Sequence, residues 1–262
     1  MDCDNKEKFY LWEGVYNNFE DASVNTVGLG FDGDTWNNRS IDVAKECLDL
    51  LDSNKPIPNF HKQRSSQLPI TVSMLINNNL KEKVKILDFG GGLGIGYMVL
   101  QESLLNDIDR VDYTIVEGAK VCSTGKSLFT PDKIKYYSNF PLSEKYDIVY
   151  ASSVLQYIDD WKGVLSTMAN LDPEYILLSD IFAGESIQTY STLQNYYESR
   201  IPHWFLNLGE LLNHCSSLNY KLIMKSYATS QRLGCEDVLP MDNFSEKNQL
   251  HMSLHLLFKK IA

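Results

Sequence analysis

The apolar run Val84-Lys85-Ile86-Leu87 closes in Asp88-Phe89-Gly90-Gly91-Gly92-Leu93-Gly94, and this junction constrains the fold more than any other stretch of the 262-residue chain. An apolar run that ends in an acid and then in glycines at alternate positions reads as a buried strand turning sharply into a helix. Glycine is needed there because the backbone must take positive φ and a ligand must come close to it. The helix expected next, from Ile95 to about Leu105, aims its free N–H groups at the same point. The turn is therefore expected to cradle a ligand that carries hydroxyls or negative charge.

After this turn, strand and helix patterns alternate. Strand patterns fall at 85–89, 112–117, 134–137, 147–151, 175–179, 221–226 and 254–258, and helical ones at 94–105, 118–128, 161–169 and 207–216. Alternation of this kind predicts an α/β fold with a mostly parallel, doubly wound, seven-stranded sheet. No helical pattern joins the last two strands, so one strand near the C-terminus is expected to return antiparallel. Before the turn, residues 10–39 are aromatic, rich in Gly, Asn and Asp, and aperiodic, which predicts a packed loop segment rather than disorder. Ser40 is the expected N-cap of a helix to about Leu51, and a second helix is expected over 66–78 with Pro69 in its first turn. The chain thus divides into an aromatic-rich cap with helices (1–80) and a ligand-binding domain (81–262), with a substrate-covering insert at about 183–206.

Composition narrows the partners. With 44% hydrophobic and 22% charged residues the chain is ordinary for a soluble protein. Its net charge of −10 argues against nucleic acid, whose binders present basic stripes; Lys81-Glu82-Lys83 and Lys259-Lys260 are too short to form one. The five cysteines (Cys3, Cys47, Cys122, Cys215, Cys235) show neither a disulfide framework nor metal-clip spacing, so no metal is expected. The start Met1-Asp2-Cys3-Asp4 lacks an apolar signal segment, and no apolar run approaches the ~18 residues of a membrane span. The expected location is the cytoplasm.

Two cofactors compete for the turn: a nicotinamide or flavin dinucleotide, and S-adenosylmethionine. The dinucleotide fingerprint G-x-G-x-x-G fits no frame here, because Ile95 and Tyr97 stand where its third glycine would be. Asp88 would repel a pyrophosphate, yet it would favour the ammonium group of an amino acid. S-adenosylmethionine is therefore the expected ligand, held by Asp88 and by the backbone at Gly90, Gly92 and Gly94. Glu117 closes the second strand, where its carboxylate can accept both ribose hydroxyls for about 1.5–3 kcal/mol. The fourth strand runs into Ser152-Ser153-Val154-Leu155-Gln156-Tyr157, of which Ser152, Gln156 and Tyr157 are the pocket candidates, while Val154 and Leu155 read as core.

With these residues in view, the chain resembles class I S-adenosylmethionine-dependent methyltransferases, whose fold is Rossmann-like. It resembles more narrowly a bacterial family associated with surface-polysaccharide loci. The motifs concerned are Trp12–Tyr16, Asp88–Gly94, Ile115-Val116-Glu117, Ser152–Tyr157 and Pro202-His203-Trp204. The resemblance covers most of the chain and implies methyl transfer to a small molecule, a sugar or a nucleotide-activated precursor of capsule or lipopolysaccharide. The family often carries an Asp-Arg pair after the fifth strand, whereas this chain has Asp180-Ile181, so that arginine's role is not carried over. The third strand also lacks the acid that many methyltransferases use beside the adenine; Asn139 or Phe140 is the expected substitute.

For catalysis, His203 is the first candidate base because its ordinary pKa lies near working pH, with Asp180, Tyr16 and Tyr157 behind it. His61 has no partner that the sequence identifies, and Arg64 reads as a surface residue or a partner for the cofactor carboxylate. Tyr16, Trp36, Tyr190, Tyr196, Tyr197 and Trp204 are read either as walls of the acceptor site or as packing for the cap. The leading expectation is O-methylation. N-methylation and a non-catalytic S-adenosylmethionine-binding module stay open, as does the oligomeric state.

Overall fold

A computed structural model describes residues 9–77, 82–196, 198–229, 232 and 238–261. Cys3, Asn78, Lys81, Tyr197 and Cys235 lie outside the described residues. The chain opens with β1 (Trp12–Tyr16) and the short helix α1 (Phe19–Ser23), whose first turn is capped by the Asn18 side chain accepting from Asp21 N–H. Helices α2 (Asp34–Asp52), α3 (Asn59–Lys62) and α4 (Gln67–Asn77) follow. The α/β succession is then β2 (Val84–Phe89), α5 (Ile95–Leu104), β3 (Val111–Val116), α6 (Ala119–Leu128), β4 (Ile134–Tyr137), β5 (Ile148–Ser152), α7 (Trp161–Asn170) and β6 (Tyr175–Ile181). The chain ends with β7 (Ala183–Gly184), β8 (Tyr190–Tyr196), β9 (Ser199–Asn207), α8 (Leu208–Ser217), β10 (Tyr220–Ala228) and β11 (Ser253–Lys260).

Seven of these strands form one sheet in the order β10-β11-β6-β5-β2-β3-β4. β11 alone runs antiparallel to its neighbours, as the missing helix before it predicts. Successive strand residues divide between two cores, as a period of two requires. Ile86, Ile115, Ile148, Tyr150 and Leu177 pack against α2, α4, α5 and α6. Leu87, Val116, Val149, Ile176 and Leu178 face α7 and α8. Both faces are covered, so the central strands read as nearly continuous apolar runs.

A second sheet, β1-β8-β9-β7, was not expected. The stretch read as loop at 10–39 contributes β1, which pairs antiparallel with β8 nearly 180 residues later. The insert is the β8–β9 hairpin, with Tyr190 opposite Phe205 and Thr192 opposite His203. Alternation did not reveal it because polar and apolar residues of β8 alike are buried: Ser191, Thr192 and Gln194 are as enclosed as Leu193. α2 also starts at Asp34 rather than after Ser40. Its first turn is polar and so shows no apolar period, and Ser40 bonds back to Trp36 O inside the helix.

The small sheet has its own core, in which Trp12 is fully buried against Phe182 and Phe205. Trp12→Ala should cost about 3–5 kcal/mol of stability, read from urea unfolding; a loss under about 1 kcal/mol would mean that this sheet contributes little to the fold.

Candidate active site

The glycine turn leaves β2 over its own acid. Gly90 N–H bonds to Val116 O, and Gly94, at φ +83°, leads into α5. A Cβ at Gly91 would lie 2.4 Å from Asp88 Oδ2, so the carboxylate is tucked directly beneath the turn. Asp88 is buried, and Tyr113 donates its hydroxyl to Oδ2 at 2.7 Å. Oδ1 has no partner among the described residues. Burial, with a smaller contribution from the Glu117 charge, pushes the Asp88 carboxyl up to about 7 although the Tyr113 hydrogen bond opposes it. Gly92 has φ +55°, and a Cβ there would meet nothing within 4 Å. At this residue the turn offers bare backbone to open space.

Two cavities flank the turn and share Gly90 and Trp36 in their walls. The first, about 340 Å³, has Asp88, Gly91 and Gly92 on one side, with Arg39 of α2, His61 and Arg64 around the rest. The second, about 430 Å³, is bounded by Val116, Glu117, Ser138, Val154 and Tyr157, with Phe31 and Asn37 from the N-terminal segment. Glu117 follows the last residue of β3. Its carboxylate accepts Gly118 N–H at 2.7 Å and, more weakly, Gly92 N–H at 3.3 Å. Burial raises its pKa, and these two bonds oppose the rise. Among the described residues no group of three or more His, Cys, Asp or Glu could hold a metal ion, and no helix is long and apolar enough to cross a membrane.

The structure brings Asp88, Gly90, Gly92 and Ser152 to the first cavity, and Gly90, Glu117 and Tyr157 to the second. Other candidates stand elsewhere. Gly94 is part of the turn, but its Cβ position faces Ile134, so it packs and lines neither cavity. Asn139 is exposed, and Phe140 stacks on Phe89 with ring centroids 5.1 Å apart. Their neighbour Ser138 lines the second cavity, because β4 ends one residue before it. Gln156 is buried, lines neither cavity, and donates at 3.1 Å to the Oγ of Ser153, which lines the second. Tyr16 sits half-buried at the end of β1, opposite Ser191.

The two leading catalytic candidates need correction. His203 lies in β9, fully buried among Trp12, Tyr157, Phe182 and Phe205, and neither ring nitrogen has a partner among the described residues. Burial, aided by the Arg232 charge, pushes it down to about 3. It lines neither cavity and packs as a neutral ring behind Tyr157, which lines the second, whereas a base must lie within hydrogen-bond reach of its proton. Asp180, at φ +51°, is fully buried at the end of β6. Arg232 Nη2 donates to both its oxygens at 2.7 and 2.8 Å, Ser253 Oγ donates at 2.5 Å, and Arg64 Nε stands at 3.4 Å. Burial alone would raise its pKa, but these cations and hydrogen bonds hold it well below the carboxylate range. Asp180 is thus an ionised anchor, paired with Arg232, 52 residues on.

Arg39 and His61 had no role in the sequence reading, and Arg64 was read either as a surface residue or as a partner for the cofactor carboxylate; all three line the first cavity. The only available signal was the aromatic and basic run Phe60-His61-Lys62-Gln63-Arg64. The isolation of the His203 nitrogens is directly testable: His203→Phe should leave the free energy of urea unfolding within about 1 kcal/mol of the parent or above it, and a loss of about 2 kcal/mol or more would reveal a hydrogen bond to that ring.

Residues 57–227, more than half of the chain, match a family model described as a methyltransferase domain. No curated protein sequence matches the chain. A chain from the Haloferax volcanii complex that contains the Trm112 methyltransferase activator is similar in fold, with a TM-score of 0.51 and 11% identity over 84% of this chain and 94% of that one. Magnesium protoporphyrin IX methyltransferase from Synechocystis PCC 6803, solved with S-adenosylmethionine, gives 0.49 and 14% over 87% and 94%. The 1,6-didemethyltoxoflavin-N1-methyltransferase of Burkholderia thailandensis, solved with S-adenosylhomocysteine, gives 0.47 and 13% over 86% and 90%. At such identities solved structures speak to the fold, and it is the sequence match over 57–227 that assigns the chain to the methyltransferase-domain family, with S-adenosylmethionine as its methyl donor.

Proposed function

We propose that the chain O-methylates a small-molecule acceptor, a sugar or nucleotide-activated precursor in the assembly of a surface glycan such as capsule or lipopolysaccharide. The observation that carries the small-molecule reading is the pair of cavities on either side of Gly90, of a size to divide a nucleoside and an amino-acid moiety between them. The sugar class is implied by the resemblance in Trp12–Tyr16, Ser152–Tyr157 and Pro202-His203-Trp204.

The residues present fit S-adenosylmethionine. The unpartnered, buried Asp88 Oδ1 is where an ammonium group would complete the hydrogen bonding of that carboxylate. Glu117 would accept ribose hydroxyls in place of the long bond from Gly92 N–H. Val116 and Val154 offer an apolar slot for the adenine, with Ser138 at its edge. When bound, the cofactor supplies an electrophilic methyl group on a sulfonium. The chain's own work is then binding, alignment and exclusion of water, with residues 1–80 and the insert at 183–206 as the cover. Trp36 and Phe31 from the first, and Tyr196 from the second, support that division. Tyr157 is no base at neutral pH, since burial raises its phenol and its hydroxyl donates to Gln194 at 2.7 Å. His61 is the histidine on the wall of these two cavities, and burial lowers its pKa, which favours the neutral ring.

Calorimetry with S-adenosylhomocysteine tests the reading: saturable binding is expected, and folded protein that binds none at millimolar ligand overturns it. Glu117→Ala should weaken that affinity roughly ten- to hundredfold, by about 1.5–3 kcal/mol. Asp88 carries a pH signature. Its carboxyl is protonated below about 7 and charged above, and only the charged form pairs with an ammonium group. Affinity should therefore rise from pH 6 to pH 8 and stay flat in Asp88→Asn; an equal slope in that variant would remove Asp88 from the site.

A further inference from the structure

Asn37 stands in the first turn of α2 and on the wall of the second cavity, where it is only 8% exposed. Its Nδ2 donates to the chain twice, to Gly33 O at 2.8 Å and to Phe31 O at 3.3 Å. Those two carbonyls fix which way round the amide lies, because the reverse placement would set Oδ1 against two oxygens. Oδ1 has no partner among the described residues. The donated bonds account for the nitrogen, and nothing in the packing of α2 accounts for the oxygen. In so enclosed a place an unpaired amide oxygen costs free energy unless something entering the cavity meets it.

The nucleoside of S-adenosylmethionine carries its hydrogen-bond donors on the ribose hydroxyls and on the 6-amino group of adenine. With Glu117 on the hydroxyls, the amino group is the donor left, and Phe89, Val116 and Val154 give it an apolar slot without an acceptor. β4 brings no acid here. Ser138, the residue after it, has a hydroxyl that donates as well as accepts, so it tells an amino group from a carbonyl poorly. Asp32 is a further acceptor on this wall, but it is exposed, and water competes for its carboxylate. Asn37 Oδ1 accepts only, and its orientation is locked.

We propose that Asn37 reads the adenine base: its Oδ1 accepts a hydrogen bond from the 6-amino group, so the N-terminal segment sets the preference for an adenine nucleoside. This rests on the methyltransferase reading and adds donor selectivity to it. A 6-oxo base would turn an oxygen toward Oδ1 and leave both acceptors unpaired, the kind of mismatch that a hydrogen-bonding site rejects most strongly. Because the same amide holds Phe31 O and Gly33 O, one side chain both places the cover and recognises the base.

Calorimetry on the full chain compares S-adenosylhomocysteine with S-inosylhomocysteine, its 6-oxo counterpart. Wild-type protein should bind the adenine compound at least about tenfold more tightly. N37A should bring that ratio down to about threefold or less. A loosened cover would weaken both ligands alike and leave the ratio standing, so the ratio separates recognition of the base from a purely structural role. N37S gives the same reading should N37A fail to fold, since its hydroxyl can bond to Gly33 O as Ser40 does to Trp36 O one turn on. Equal binding of the two compounds by wild-type protein, a ratio that survives in N37A or N37S, or a ratio lost only in D32N overturns the proposal. Folded wild-type protein that takes up neither compound overturns the donor reading as well, which distinguishes the two failures.

Discussion

A carboxylate held beneath its own glycine turn organises this molecule. Asp88 is buried at the end of the central strand, and burying an ionisable group without full hydrogen bonding is costly. The Tyr113 hydroxyl satisfies one oxygen, and the other has no partner among the described residues. The turn must then pass very close above it. Side chains at Gly91 and Gly96 would strike Asp88 and the Tyr113 hydroxyl, at 2.4 and 2.5 Å, so these glycines are dictated from below. Gly92 faces open space, where its lack of a side chain leaves the backbone bare. One sequence motif thus satisfies two separate demands, packing underneath and access above.

The cover over this centre joins distant parts of the chain. β1 from the N-terminal segment completes the β8–β9 hairpin, and Val27 bridges Arg200, which sets Phe31 and Trp36 over the cavities. Lys120 on α6 reaches Asp34 at 2.8 Å and ties the start of α2 to the main domain, although an exposed pair of this kind adds little stability. Asp180 holds a second joint. Its charge draws Arg232, Ser253 and Arg64 to one point and so links the ends of β6 and β11 to the wall of the first cavity. The Arg64 main-chain carbonyl also accepts from Tyr150 and Ser152, which fixes that wall against β5.

Much of the main sheet was legible because its strands obey local rules. Apolar runs of strand length, separated by amphipathic helices, placed all seven strands to within a residue or two at most ends, and the missing helix before β11 foretold its reversal. Glu117 could be found from its place after β3, because a doubly wound sheet delivers ligands to the carboxyl ends of its strands. The small sheet was not legible: β1 has no partner within reach in sequence, and β8 buries serine and threonine beside leucine. His203 misled for a related reason. Histidine chemistry makes a base credible at any position, but only its surroundings of Trp12, Phe182 and Phe205 turn it into an uncharged packing ring. Asn139 and Phe140 missed by one and two residues, since the last residue of β4 decides which side chain overhangs the cavity, and Ser138 does so.

By itself the sequence determined the parallel α/β core, the acid-led turn at Asp88–Gly94 and the second-strand Glu117, because each follows from short-range periodicity or from the backbone demands of a single turn. From these alone the methyl donor could be inferred. What surrounds the donor was decided only by tertiary structure. Arg39, His61 and Arg64 come from helices outside the recognisable motifs, Tyr196 from the insert, and the partner of Asp180 from residue 232. No local pattern records such meetings, because they arise from the docking of elements whose spacing in the chain says nothing of their distance in space. The turn is written locally, and the walls of the cavities beside it are assembled by the fold.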